Sequence, residues 1–356
     1  MKKLNVAIIG QGRSGRDIHG SFFKSEKNTC YSVVAVIEKD EQRRKMASSE
    51  YPGCEVYESY TEIFARNDID LVVNASYSNE HYKTTKDLLE NGFNVLVEKP
   101  FSANQYECND LIRIANEKKV ILSVFMQAFY APFYLGAREV INSGKLGDIK
   151  QIDITYSNFS RRWDWQTLQY MLGGNVFNTG PHPIGMALGF LDFDENYRVV
   201  YSKLDNMLSS GDADDYAKII LTAPNKPLID IEISSNDAYS DSNIKILGSK
   251  GTYKSTVSEY KMKYIKDGEN PPQPLIRESM KNDDGLPVYC WEKLITHEEE
   301  GKYDGDVAGI GAAGFYNALY DSLTKCAPVP VSPENAKKVI GVIETVHAQN
   351  PMSVKF

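Results

Sequence analysis

The sequence predicts an α/β protein: a doubly wound parallel sheet, followed by a second domain of α+β type with a largely antiparallel sheet. Three observations predict it. Short apolar runs alternate with helix-like segments through the first third of the chain. A glycine-rich turn closes the first of those runs. Beyond residue 123 the pattern changes to strands in which apolar and polar residues alternate.

The apolar runs occupy residues 4–9, 33–37, 71–73, 95–97 and 120–122. Near-continuous apolar runs suit strands covered on both faces. Residues 84–90 and 104–118 lie between runs and place Tyr106, Leu111, Ile112 and Ala115 at helical spacing, and 16–23 reads as a helix after the glycines. Such alternation gives a parallel sheet with helices on both sides.

Farther on, residues 132–141 read as a helix stopped by Ser143-Gly144. Ile229, Ile231 and Ile233 face one way while Asp230, Glu232 and Ser234 face the other, which marks a sheet with one covered face. Residues 244–253 read as a hairpin turning at Gly248-Ser249-Lys250-Gly251. Residues 312–323 and 333–348 read as two helices, and the Pro-rich, charged stretch 265–287 reads as a long exposed loop. The division expected is 1–123 and 124–356.

Length agrees, since 356 residues exceed what one core usually serves. The net charge of −8 disfavours nucleic acid, because an acidic surface repels phosphate backbones. Arg43-Arg44-Lys45 is flanked by acids and reads as a solvated helix face. The five cysteines are scattered, without C-x-x-C spacing, which argues against a disulfide framework and a Cys-ligated zinc; no metal site is expected. The run behind Met1-Lys2-Lys3 is too short for a secretory leader, and no stretch is long and apolar enough to span a bilayer. A cytoplasmic protein with reduced thiols is the expectation.

Gly10-Gln11-Gly12-Arg13-Ser14-Gly15 fits G-x-G-x-x-G between a strand and a helix. In that setting the first glycine permits the turn, the second lets the backbone approach a pyrophosphate, and the third allows close helix–strand packing: a Rossmann-type dinucleotide site. The helix N-terminus adds free N–H groups and partial positive charge. The plain alternative is a glycine turn with no ligand. Glu38 ends the second strand about 20 residues past Gly15, where a carboxylate accepts hydrogen bonds from the adenosine ribose. It would repel a 2′-phosphate, which favours NAD(H); Lys39 and Arg13 could neutralise one, so NADP(H) stays open.

Glu98-Lys99-Pro100 ends the run 95–97 and so points to the ligand crevice beyond the strand ends. A lysine there can move a proton if its surroundings lower its pKa toward neutrality. A surface lysine is the plain reading of these residues alone.

Gly10 to Gly15, Glu38, Asn91-Gly92-Phe93-Asn94-Val95-Leu96-Val97-Glu98-Lys99-Pro100 and Ser143-Gly144-Lys145-Leu146-Gly147-Asp148-Ile149 together resemble the Gfo/Idh/MocA family of glucose–fructose oxidoreductases, inositol dehydrogenases and rhizopine-catabolism enzymes. Gly173-Gly174-Asn175 through His182 and the turn 248–252 extend the resemblance over nearly the whole chain. It implies an open-faced sheet in the second domain and hydride transfer between NAD(P) and a secondary alcohol or ketone of a sugar or cyclitol. It also implies Lys99 as proton-transfer residue, with His182 from a D-x-x-x-H motif. The implied cofactor contacts are Gly10, Gln11, Gly12, Arg13, Ser14, Gly15, Glu38, Ala75, Ser76, Asn79, His81, Glu98, Lys99 and Gln127. His81 is weighed evenly between ligand contact and loop support.

Three positions depart from the family pattern. Asn178 replaces the Asp of D-x-x-x-H, and an amide cannot relay a proton, although it can hold a hydroxyl. Gly185 stands where an acid often follows the His, and Ala128-Phe129-Tyr130 lacks the usual Arg. Chemistry must rest on Lys99, His182 or both. His182, between Pro181 and Pro183, reads as part of a rigid loop. His19 and His347 read as packing or surface residues. Arg162, Asp164 and Trp165, with Asn178, are the substrate candidates, since sugar sites pair an aromatic face with groups that read hydroxyls; an interface loop is the alternative there.

The expected function is an NAD(P)-dependent oxidoreductase. The alternatives are a redox-neutral, NAD-dependent glycoside-cleaving enzyme and a non-catalytic dinucleotide-binding sensor. A homodimer or homotetramer is expected, with apolar residues on the open sheet face buried by a second subunit.

Overall fold

The computed structural model describes residues 3–304 and 307–356. Met1 and Lys2, the head of the stretch weighed as a leader, lie outside the described residues. The first sheet is built from β1 (Leu4–Ile9), β2 (Tyr31–Ile37), β3 (Glu55–Tyr57), β4 (Leu71–Asn74), β5 (Val95–Glu98) and β6 (Leu122–Phe125), all parallel, in the order β3-β2-β1-β4-β5-β6. Strand order reverses at β1, so the carboxyl ends of β1 and β4 open a crevice at the switch point. All four residues of β4, β5 and β6 are buried, as their apolar runs require.

The connecting helices are α1 (Gly20–Lys24), α2 (Glu41–Glu50), α3 (His81–Glu90) and α4 (Gln105–Lys118). Asp40 caps α2 by accepting from Arg43 N at 2.8 Å, and Asn104 caps α4 by accepting from Glu107 N at 2.9 Å. Two boundaries differ from expectation. The helix expected at 16–23 starts sooner, as a wide π turn over Arg13–His19 that runs into α1. The last strand starts at Leu122, because Lys119 adopts a left-handed conformation to end α4 and Asn94 Oδ1 takes the Ile121 N–H at 2.8 Å. The short edge strand β3 carries no run long enough to announce itself.

Helix α5 (Pro132–Asn142) leads into the second sheet. It contains β7 (Ile149–Ser157), β8 (Arg198–Asp205), β9 (Tyr216–Thr222), β10 (Leu228–Ser234), β11 (Ile244–Gly248), β12 (Gly251–Ser255), β13 (Glu259–Tyr264) and β14 (His297–Lys302), in the order β14-β13-β12-β11-β7-β10-β9-β8. Only β7 and β10 pair in parallel. Between β7 and β8 stand α6 (Asn175–Asn178) and α7 (Pro181–Phe190); α8 (Val307–Lys325) and α9 (Pro333–Gln349) end the chain. Ile229, Ile231 and Ile233 are fully buried on the face that α7 covers, each contributing about 1.5–3 kcal/mol of burial.

The uncovered face qualifies one expectation: beside the apolar groups of Tyr201, Tyr216 and Ile220 it carries many charges. Lys218 Nζ stands 2.7 Å from Asp230 and 3.3 Å from Glu232, and Lys263 pairs with Glu298 at 2.6 Å. The same alternation that buries the isoleucines turns these residues outward. The exposed segment expected at 265–287 runs on to residue 296, where it carries Tyr289 and Trp291 at 96% and 82% exposure. Among the described residues no helix is long and apolar enough to cross a membrane.

Candidate active site

The three loop glycines do different work. A Cβ on Gly10, whose φ is +91°, would lie 2.4 Å from Ala75 O, and one on Gly15 would lie 1.9 Å from Gly10 O. Those two are demanded by the fold itself. A Cβ on Gly12 meets nothing within 4 Å. Gly12 therefore borders open space at the start of the π turn, where no side-chain hydrogen bond caps the helix end. That is the space a pyrophosphate needs, so this junction fits the diphosphate of a dinucleotide. Arg13 is exposed beside it, and Ser14 is half-buried.

Glu38 is fixed at the end of β2. Its Oε2 accepts from Gln11 N at 2.7 Å and its Oε1 from Asp40 N at 3.0 Å. Ala75 and Ser76 follow β4 directly, and Ser76 N and Oγ both donate to Asn74 Oδ1, at 3.2 and 2.7 Å. Asn79 sits in the short turn Ser78–Glu80. His81 is buried with Nδ1 2.7 Å from Pro100 O and Nε2 3.2 Å from Ser76 O. Both ring nitrogens face protein carbonyls, so His81 supports these loops rather than offering a free atom to a ligand. Gln127 is buried, and its Oε1 has no partner among the described residues.

Lys99 follows β5 and is half-buried; its peptide bond to Pro100 is cis. Its Nζ donates to the backbone carbonyl of Asn178 at 2.7 Å. Burial lowers its pKa from the ordinary lysine value; Glu98 opposes this, and Arg13 and Arg162 add to it. His182 corrects another expectation. It lies in the first turn of α7, not in a loop, because Pro181 and Pro183 fit the first positions of a helix, where an N–H is not needed. Its Nδ1 is buried without a hydrogen-bond partner among the described residues. Burial first, and the Lys99 charge second, hold the ring at about 3, so it stays neutral near pH 7.

Asn178 and Gln166 join their side-chain amides, with Gln166 Nε2 donating to Asn178 Oδ1 at 3.1 Å and the return contact at 3.4 Å. An Asp at 178 would lose that donor and face the Gln166 oxygen. Arg162 and Asp164 pair with each other at 2.6 Å on the exposed loop after β7. Trp165 meets Tyr77 edge-on, ring centroids 5.0 Å apart, which brings this loop against the β4 loop of the first sheet. The substrate candidates thus stand at the crevice with Lys99.

Short helix α6 is anchored from below. Asp214 is buried; its Oδ2 accepts from Val176 N at 2.9 Å, and its backbone O accepts from Asn175 N at 2.8 Å. Its Oδ1 has no hydrogen-bond partner among the described residues, and the nearest cation-forming group is His347 Nε2 at 3.9 Å. Burial lifts the Asp214 carboxyl from 3.8 to about 7. A raised carboxyl binds its proton more tightly folded than unfolded, so it favours the fold at low pH, and this contribution is lost as pH rises through about 7. Thermal melts are therefore expected to show the native chain losing stability between about pH 4 and 7, and Asp214→Asn, which stays neutral, losing less. Parallel declines in the two proteins would exclude Asp214 as the source.

Residues 4–126 match the family described as "Oxidoreductase family, NAD-binding Rossmann fold", and residues 134–254 match the GFO/IDH/MocA C-terminal domain. The chain belongs to the Gfo/Idh/MocA oxidoreductase family. It is 24% identical over 350 residues to scyllo-inositol 2-dehydrogenase (NADP(+)) IolW of Bacillus subtilis, covering 96% of this chain and 92% of that one. It is also 24% identical over 379 residues to an uncharacterized oxidoreductase of Schizosaccharomyces pombe, covering 99% of each. Among solved structures, an NAD-binding protein from Listeria innocua superposes with a TM-score of 0.80 at 21% identity, covering 98% of both chains. GenD2 from gentamicin A biosynthesis, solved in complex with NAD, gives 0.77 at 18% identity, covering 98% of this chain and 94% of that one.

For this Gfo/Idh/MocA protein, the sequence offers His19 only a packing or surface role, and assigns no role to Gln166 or Asp214. His19 is wholly buried against Glu98. One signal could have flagged it: it lies about one helical turn past Gly15, on the face turned to the sheet. Nothing in the sequence marks Gln166 or Asp214, whose partners are brought to them only by folding.

Proposed function

We propose that the protein is an NAD-dependent oxidoreductase that transfers hydride between the nicotinamide and a secondary alcohol or ketone of a sugar or cyclitol, with Lys99 as the acid–base. The supporting observation is the pairing of a half-buried Lys99 ammonium, directed at a backbone carbonyl rather than a carboxylate, with a neutral His182 beside it. Residues 1–123 serve the cofactor, and 124–356 serve the substrate and self-association as a homodimer or homotetramer.

When bound, NAD supplies the hydride-accepting ring carbon. The Lys99 amine takes the proton of the substrate hydroxyl as hydride leaves the same carbon, which becomes a ketone. His182 holds a substrate hydroxyl by hydrogen bonding through its neutral ring, and Trp165 offers a flat apolar face. Asn178 moves no proton; it positions Lys99 through its carbonyl. Glu38, fixed by two backbone N–H groups, repels a 2′-phosphate and so favours NAD over NADP.

The test is absorbance of NADH during incubation with NAD and a panel of sugars and cyclitols, paired with thermal shifts for NAD and NADP. Formation of NADH with at least one polyol, and a larger shift with NAD, is expected, since a ligand of the native state raises its melting temperature. Glycoside cleavage without NADH would reassign the chemistry as redox-neutral. Tight NAD binding with no turnover at all would make the protein a sensor.

A further inference from the structure

Glu98, the immediate neighbour of Lys99, does not pair with it. It is almost wholly buried, and its Oε2 accepts the Lys99 backbone N–H at 3.0 Å. Its Oε1 instead stands 3.1 Å from His19 Nε2, close enough for an electrostatic contact but outside hydrogen-bond geometry, and neither atom has a hydrogen-bond partner among the described residues. Two buried polar atoms that have no other partner and lie at that distance serve each other electrostatically. A carboxylate only accepts, so the proton sits on Nε2. The other ring nitrogen, Nδ1, is 2.6 Å from the hydroxyl of Tyr316, which α8 brings from the far end of the chain. His19 packs on Phe125 at 4.4 Å, and Tyr316 stacks on Phe22 at 4.4 Å, so neither ring has room to turn. The backbone carbonyl of Tyr316 is in turn held by the Tyr31 hydroxyl at 2.8 Å.

We propose that Tyr316 and His19 are positioning residues that hold the Glu98 carboxylate away from the Lys99 ammonium, leaving Nζ directed at the crevice. The inference rests on Lys99 being the proton-transfer group. A carboxylate free to turn would pair directly with the lysine, and an ion-paired lysine releases its proton poorly. The clamp prevents that by giving Glu98 a better partner. Burial works to protonate Glu98, but the His19 contact, with Lys99 and His81 nearby, outweighs it and keeps the group ionised, at about 2. The charged groups facing Lys99 from its surroundings are Glu98 on β5, Arg13 on the π turn and Arg162 on the loop after β7, with neutral His182 on α7 and His81 on α3. Of these only Glu98 strengthens the hold of Lys99 on its proton, so its position decides the balance. The clamp also joins the two parts of the chain, since α8 belongs to the second.

The experiment titrates Lys99 directly, by competitive labelling with fluorodinitrobenzene between about pH 6 and 11 and peptide mass spectrometry. His19→Leu removes the donor to Glu98 and is expected to raise the Lys99 midpoint by about one pH unit. Tyr316→Phe, which leaves the ring stacked but frees Nδ1, should move it the same way by less. His19→Gln keeps an N–H toward Glu98 and should restore the native midpoint. Adding Glu98→Gln to His19→Leu should abolish the rise, because the charge itself is gone. Circular dichroism melts identify any variant that fails to fold, and Tyr316→Phe carries the test if His19→Leu does. A native midpoint in folded Tyr316→Phe and His19→Leu, or a rise that survives Glu98→Gln, overturns the proposal. Labelling needs no turnover, so a failed polyol screen would defeat the proposed reaction without touching this result.

Discussion

Lys99→Ala is expected to cost about 10²–10⁴-fold in NAD reduction while leaving NAD bound. The size follows from the role: positioned proton transfer contributes that much, and the groups that stand beside Lys99 are poor substitutes for it. Asn178 is an amide committed to Gln166, and His182 is held neutral with a very low affinity for protons. Arg162 is always charged and already paired with Asp164. Lys99→Arg is the informative companion. It keeps a cation that can reach the Asn178 carbonyl, but a guanidinium cannot give up its proton, so it should be as inactive as Lys99→Ala. Steady-state rates with the best polyol decide the matter. Normal turnover by Lys99→Ala would falsify the acid–base role.

The second large effect is expected from Gly12→Val. The Gly12 backbone has φ −76° and ψ −165°, ordinary extended geometry that valine accepts, and no protein atom lies where its Cβ would go. The apo chain should therefore melt as the native one does. Dinucleotide binding should weaken by more than about 100-fold, equivalent to about 2.7 kcal/mol, because the side chain fills the space the diphosphate needs. Gly15→Ala should behave oppositely. Its Cβ would sit 1.9 Å from Gly10 O, so the chain itself should lose about 1–3 kcal/mol of stability. Calorimetric titration with NAD, beside thermal melts of the apo proteins, separates the two. Undiminished affinity in Gly12→Val would remove the diphosphate from this junction.

The apolar runs and the glycine turn were legible because their information is local. A doubly covered strand must be apolar throughout, and a tight turn before a helix must be glycine, so β1, β2, β4 and β5 could be placed from composition along the chain. Strands of the second sheet were harder. Only β10, β11 and β12 combine clean alternation or a marked turn; β8 and β14 are edge strands whose exposed residues imitate a loop. The Glu98-Lys99-Pro100 turn was readable as a site because strand ends in such sheets face the ligand crevice.

By itself, then, the sequence determined the two-sheet plan, the glycine junction after β1 and the lysine at the end of β5. Each depends on residues within a few positions of one another, whose backbone demands do not need the rest of the chain. Only the tertiary structure decided what surrounds that lysine. His19, Glu98 and Tyr316 meet across nearly the whole length of the polypeptide, and Asp214 reaches α6 from another strand connection. Electrostatic control of a proton depends on distance and burial, and neither is encoded by a residue's neighbours in sequence.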